Sequence, residues 1–134
     1  MNSITYISGK KLDLDQVIEL YRISTLGERR PIEKREVVKD MIDNADVIIT
    51  AWDDDKLVGL ARTLTDYSYV AYLADLAVHA NYQKQGIGRN LIEKTKEQLN
   101  PGCFITLLAA PKAKEYYAKV GFTHNPKAWT WRPE

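Results

Sequence analysis

The sequence predicts an α/β domain of the mixed kind, one sheet flanked by about four helices. Three observations carry that prediction. Apolar residues recur with strand or helix periodicity in the order strand, helix, helix, strand, strand, strand, helix, strand, helix, strand. Short polar turns join the three consecutive strands, as in hairpins. The later half alternates strand with helix, which calls for a parallel pair joined by a right-handed crossover.

Residues 4–7 alternate apolar with polar and form a first short strand. Leu14, Val17, Ile18 and Tyr21 share one helical face, with Asp13 or Asp15 as the cap. Gly27 is expected to end that helix, and Glu28-Arg29-Arg30-Pro31 to form a charged connection. Pro31 suits the first turn of a second helix, whose apolar stripe is Val37, Val38, Met41 and Ile42. Residues 47–52 and 57–64 flank the polar turn Asp53-Asp54-Asp55-Lys56 and read as a hairpin. Residues 69–78 make the longest strand, and Ile87, Leu91, Ile92, Thr95 and Leu99 mark a helix stopped by Asn100-Pro101-Gly102. The continuous apolar run 104–108 is expected to be a strand buried on both faces. Ala113, Tyr116, Tyr117 and Val120 give a last helix ended by Gly121, and residues 128–131 a final aromatic strand.

A length of 134 residues and 15.3 kDa implies a single domain over 1–134. Apolar and charged shares of 45% and 28% exclude wholesale disorder. Nineteen basic against eighteen acidic side chains, a net charge of +1, argue against a nucleic-acid partner. The lone Cys103 excludes an intramolecular disulfide and reads as a small core filler. His79 and His124 stand apart with no ligand spacing, so no metal is expected. No leader-like run or spanning stretch of ~20 apolar residues occurs, so the expected compartment is the cytoplasm, with no membrane partner.

The chemistry concentrates at the end of the long strand, in Asp75-Leu76-Ala77-Val78-His79-Ala80-Asn81-Tyr82-Gln83-Lys84-Gln85-Gly86-Ile87-Gly88. Two glycines in a strand-to-helix loop let the backbone approach a ligand, and helix N-terminal amides attract anions, pyrophosphate above all. Lys84 and Arg89 add positive charge. The P-loop is excluded because Arg89 and Asn90 follow Gly88 where Lys and Ser or Thr are needed. The dinucleotide fingerprint is excluded because Leu91 stands at its third glycine.

Gln83-x-x-Gly86-x-Gly88 instead resembles the acetyl-CoA pyrophosphate loop of the GCN5-related N-acetyltransferases, the GNAT superfamily. Leu76-Ala77-Val78 before it and Tyr117-Ala118-Lys119-Val120-Gly121-Phe122 after it match the same pattern, and the element order fits over nearly the whole chain. The resemblance implies the GNAT fold and acetyl transfer from acetyl-CoA to a primary amine, most simply a small molecule. It implies that Leu76, Ala77 and Val78 pair with the pantetheine arm like an added strand. Two parallel strands would part after Val78. Gln83, Lys84, Gln85, Gly86, Ile87, Gly88 and Arg89 would surround the pyrophosphate. The asparagine that many members carry before the last helix is missing from Ala110-Pro111-Lys112-Ala113.

By the same resemblance Tyr117 is the proton donor to the leaving thiolate, with Tyr116 its packing twin. Asp75 would take the amine proton or hold a cationic amine; the alternative is a strand carboxylate facing solvent or paired with Arg62. Tyr21, Arg29, Arg30, Trp52 and Arg62 are the candidate acceptor residues, within a wider group of Tyr67, Tyr69, Tyr72, Trp129 and Trp131. A homodimer through the aromatic C-terminal strand is compatible with these residues. A different class of function, a non-catalytic acyl-CoA sensor on the same fold, would need neither Tyr117 nor Asp75.

Overall fold

Five strands hydrogen-bond in chain order in the computed structural model, which describes residues 3–133. They are β1 (Thr5–Ser8), β2 (Val47–Asp53), β3 (Lys56–Thr65), β4 (Val70–Val78) and β5 (Phe104–Thr106). The first four run antiparallel, and β5 lies parallel to β4. The helices are α1 (Leu14–Ile23), α2 (Arg35–Asp43), α3 (Ile87–Glu97) and α4 (Lys114–Lys119).

The central strands are apolar on both faces because helices cover both. Ile48, Leu60 and Ala77 pack with Val17, Leu20 and Tyr21 of α1 and Val38 and Ile42 of α2. Ile49, Ala51, Val58, Ala61 and Leu73 pack with Ile87, Leu91 and Ile92 of α3. Asp13 caps α1 by accepting the Asp15 N–H at 2.9 Å.

A β-bulge interrupts β4. Arg62 pairs with Asp75 and Thr63 with Leu73, so Ala74 is an extra residue without a partner on β3. Its effect is a change of phase. Leu73 belongs to the α3 side, whereas Asp75 and Ala77 turn toward α1.

Four expectations are corrected. α1 stops at Ile23 rather than at Gly27, because Thr25 turns left-handed at φ 70° and leads into a 3-10 turn over Leu26–Arg29. α2 begins at Arg35, not Pro31, because the Lys34 N–H closes a turn on the Pro31 carbonyl at 3.0 Å first. The run 104–108 is a three-residue strand with Phe104 half exposed, so it is not buried on both faces. Residues 128–131 form no strand, and Trp129 and Trp131 stand 96% and 85% exposed, without a neighbouring strand to pair with.

Candidate active site

β4 and β5 pair only through Val70–Phe104, Ala71–Ile105 and Tyr72–Thr106. The strands part there, six residues earlier than the expected point after Val78. The β5-facing edge of β4 is therefore open over residues 73–78, a stretch that includes Leu76, Ala77 and Val78. Leu76 and Val78 pack toward α3 and Ala77 toward α1. That open edge leads to the start of α3.

The loop is shaped by two left-handed residues, Lys84 at φ 65° and Gly86 at φ 85°. Helical bonding begins with the Asn90 N–H on the Gly86 carbonyl at 3.0 Å, so Ile87, Gly88 and Arg89 supply the helix's first amides. Gln83, Lys84, Gln85 and Arg89 are exposed around them, and Ile87 and Gly88 are buried. Gln83 folds back to donate to the Val78 carbonyl at 3.2 Å, fixing the loop against the end of β4. Arg89 donates to the Lys119 carbonyl at 3.1 Å, which holds the end of α4 beside the start of α3.

Asp75 is wholly enclosed and every oxygen is engaged. Its Oδ2 accepts from the Tyr21 hydroxyl at 2.6 Å and from Arg62 Nε at 2.5 Å. Its Oδ1 accepts from Arg30 Nε at 2.7 Å. Burial alone would raise the carboxyl pKa, but Arg62, then Tyr21 and Arg30, outweigh it and hold Asp75 below the usual carboxylate range. Burial and the neighbouring carboxylate push the Tyr21 phenol well up, so it stays a donor. Asp75 is thus neither a solvent-facing carboxylate nor a free base. The pairing with Arg62 stands, joined by two partners that the spacing did not reveal.

The same contacts rearrange the expected acceptor wall. Tyr21 and Arg62 are buried, with the Tyr21 hydroxyl and Arg62 Nε both directed to Asp75. Trp52 is half-buried on the α1 side and donates Nε1 to Thr50 Oγ1 at 2.8 Å, a packing position. Arg30 is largely enclosed. Arg29 alone of the five has an exposed side chain.

Tyr117 lies half-buried against Phe122, ring centres 5.7 Å apart, on the α3 side of the core. Burial, then Tyr116, raises its phenol pKa, while Arg29 and Arg30 draw it partly back. Tyr117 also lines a groove of about 1070 Å³ between residues 103–111 and 121–128. Tyr116 is the more exposed of the pair; it packs edge-on against Tyr117, and its hydroxyl fills the space a Gly88 Cβ would take. Among the described residues no three His, Cys, Asp or Glu side chains group to hold a metal ion, and no helix is long and apolar enough to cross a membrane.

Comparison with known proteins agrees with this geometry. The model of the acetyltransferase (GNAT) domain matches residues 23–128. An uncharacterized N-acetyltransferase, ycf52, of Gracilaria tenuistipitata var. liui is 33% identical over 150 aligned positions, covering 97% of this chain and 81% of its own. A Staphylococcus aureus protein described as a probable acetyltransferase superposes with a TM-score of 0.80 at 22% identity, covering 98% of this chain and 99% of its own. The aminoglycoside N-acetyltransferase AAC(6')-Iy, solved in complex with CoA, does so with a TM-score of 0.76 at 17% identity, over 99% and 96% of the two chains.

Proposed function

The chain belongs to the GNAT acetyltransferase family, and on that premise we propose that it transfers an acetyl group from acetyl-CoA directly to a primary amine of a small molecule. The observation that carries the reading is the open edge of β4 over residues 73–78, which runs to the amides of Ile87, Gly88 and Arg89. An extended pantetheine arm fits such an edge as an added strand, and a pyrophosphate fits the donors at its end. The relative AAC(6')-Iy, whose fold this chain shares, is an aminoglycoside N-acetyltransferase seen with CoA, which supports a small amine as acceptor.

In the reaction the neutral amine attacks the thioester carbon, a C–N bond forms and the C–S bond breaks. The departing thiolate takes the phenolic proton of Tyr117. Burial raises the pKa of that phenol, which keeps it protonated and able to donate. Asp75 has no free oxygen for the proton that the amine sheds. Water carries it away, and Asp75 instead organises the wall beside the site.

The test is binding followed by turnover. Acetyl-CoA and CoA raise the melting temperature by mass action, worth ~2.7 kcal/mol at a concentration of about one hundred times Kd, while NAD and ATP do not. Thiol release across a panel of polyamines, aminoglycosides, arylalkylamines and amino acids then identifies the acceptor. Absence of stabilisation by CoA refutes the reading; stabilisation without thiol release on any amine leaves a sensor.

A further inference from the structure

The bulge in β4 is held from outside the sheet. Arg30 Nη2 donates to the carbonyl of Ala74, the unpaired bulge residue, at 2.7 Å. Its Nε bonds Asp75 Oδ1 at 2.7 Å, and its Nη1 bonds the Arg29 carbonyl at 2.8 Å. One planar guanidinium thus joins three points: the buried carboxylate, the bulge, and the chain end of the 3-10 turn over Leu26–Arg29. Ala74 and Asp75 lie inside the stretch of β4 whose edge is open, immediately before Leu76, Ala77 and Val78. Arg62 and Tyr21 fix the far side of the same carboxylate.

From these contacts we infer that Arg30 is a positioning residue, tying the connection between α1 and α2 to the splayed stretch of β4, so that occupation of the strand edge tightens the loop facing it. The inference rests on the acetyl-CoA reading for what occupies the edge. Its physical basis is the rigidity of the fork. A guanidinium bonds a carboxylate oxygen and a carbonyl at once in a fixed plane, whereas a lysine in its place supplies charge without that geometry. Arg29, next in the chain and the exposed member of the pair, is joined to the tie through its carbonyl, which accepts from Arg30 Nη1 at 2.8 Å. Leu26, with Ile23 and Ile32 beside it, anchors the loop on the core, and local turns close it, among them Glu28 N–H on the Thr25 carbonyl at 3.1 Å and Ile32 N–H on the Arg30 carbonyl at 2.9 Å.

Amide hydrogen exchange on the full chain, with and without acetyl-CoA, tests the tie. In the wild type, acetyl-CoA slows exchange at residues 85–90 and also at residues 24–32, the latter by roughly tenfold, the scale for losing or gaining a charge-assisted bond. In Arg30→Gln the slowing at 85–90 persists and that at 24–32 disappears. This variant leaves Asp75 with Arg62 and Tyr21, so the carboxylate stays paired. Arg30→Lys is the second variant: it recovers most of the melting temperature lost by Arg30→Gln but not the response at 24–32. A residue acting only through stability would recover both together. Equal slowing at 24–32 in wild type and variants overturns the inference, as does slowing confined to 85–90 in the wild type. If acetyl-CoA slows neither segment of the wild type, the proposed function falls, and the coupling with it; only that outcome touches both.

Discussion

Replacing Asp75 by Asn removes one negative charge from a site that holds two guanidiniums and a phenol. The side chain of Asp75 is 0% exposed and that of Arg62 only 11%, so water cannot replace what is lost. An amide can accept from one arginine, but it turns an NH₂ group toward the other donors. Breaking a buried ion pair on one side costs ~3–5 kcal/mol. At ~2.1 cal/mol/K per residue over 134 residues, each kcal/mol is worth roughly 3.6 °C, so melting falls by roughly 11–18 °C at neutral pH.

The pH dependence gives a second reading of the same perturbation. The folded pKa of Asp75 is depressed, so its contribution is present in full above the unfolded value, about 3.9, and lost as pH falls through the folded value. The wild type therefore keeps a constant margin over Asp75→Asn from about pH 5 to 8, and the margin shrinks below about pH 4. Differential scanning fluorimetry in a buffer series measures both quantities. A variant melting within about 3 °C of the wild type near pH 7 refutes the buried hub, and so does a margin that widens on acidification.

Tyr117→Phe keeps the ring against Phe122 and removes only the proton donor. Turnover under conditions where chemistry is rate-limiting drops roughly 10²-fold, with CoA affinity nearly unchanged; near-normal kcat returns Tyr117 to packing. Gly88→Ala drives a methyl into the Tyr116 hydroxyl, with the ring carbon that bears it only 3.3 Å away. That variant weakens CoA binding, measured by calorimetry, and adding Tyr116→Phe restores part of it. Gly86→Ala meets no atom within 4 Å and suffers only the left-handed backbone cost at φ 85°, ~1–2 kcal/mol, which no change at Tyr116 relieves.

Local pattern located what local forces determine. The hairpin of β2 and β3 follows from β-branched runs around an aspartate turn, with Asp54 left-handed at φ 54°. The start of α3 follows from Gly86 and from the apolar stripe of Ile87, Leu91 and Ile92, which the α3-side core buries. The errors fall where tertiary geometry overrides pattern. Nothing about Thr25 announces a left-handed residue, which ends α1 before the glycine that pattern favours. The apolar run 104–108 carries the mark of a central strand, yet β5 leaves β4 after Thr106, so its second half has no ladder to complete. Trp129 and Trp131 alternate correctly for a strand, but alternation without a neighbour forms none.

The enclosure of Asp75 beside Arg62 has one structural origin, and it lies where the site opens. In an unbroken strand, residues 73, 75 and 77 share a face, so a carboxylate between Leu73 and Ala77 reads as an anomaly in an apolar row. The extra residue at Ala74 breaks that row: Leu73 packs on α3, while Asp75 shares the α1 face with Tyr21. A shift of one residue thus delivers a carboxylate where two arginines can close on it, and it leaves the bulge carbonyl for Arg30 to hold. The same extra residue lies two positions beyond the last pair between β4 and β5, where the open edge begins. Bulge, charge hub and open edge are therefore one construction. A substitution that cut the hub's link to the bulge while sparing the rest of the hub would separate them, and Arg30→Gln, which removes the bonds to Asp75 Oδ1 and the Ala74 carbonyl but spares those from Arg62 and Tyr21, is that variant.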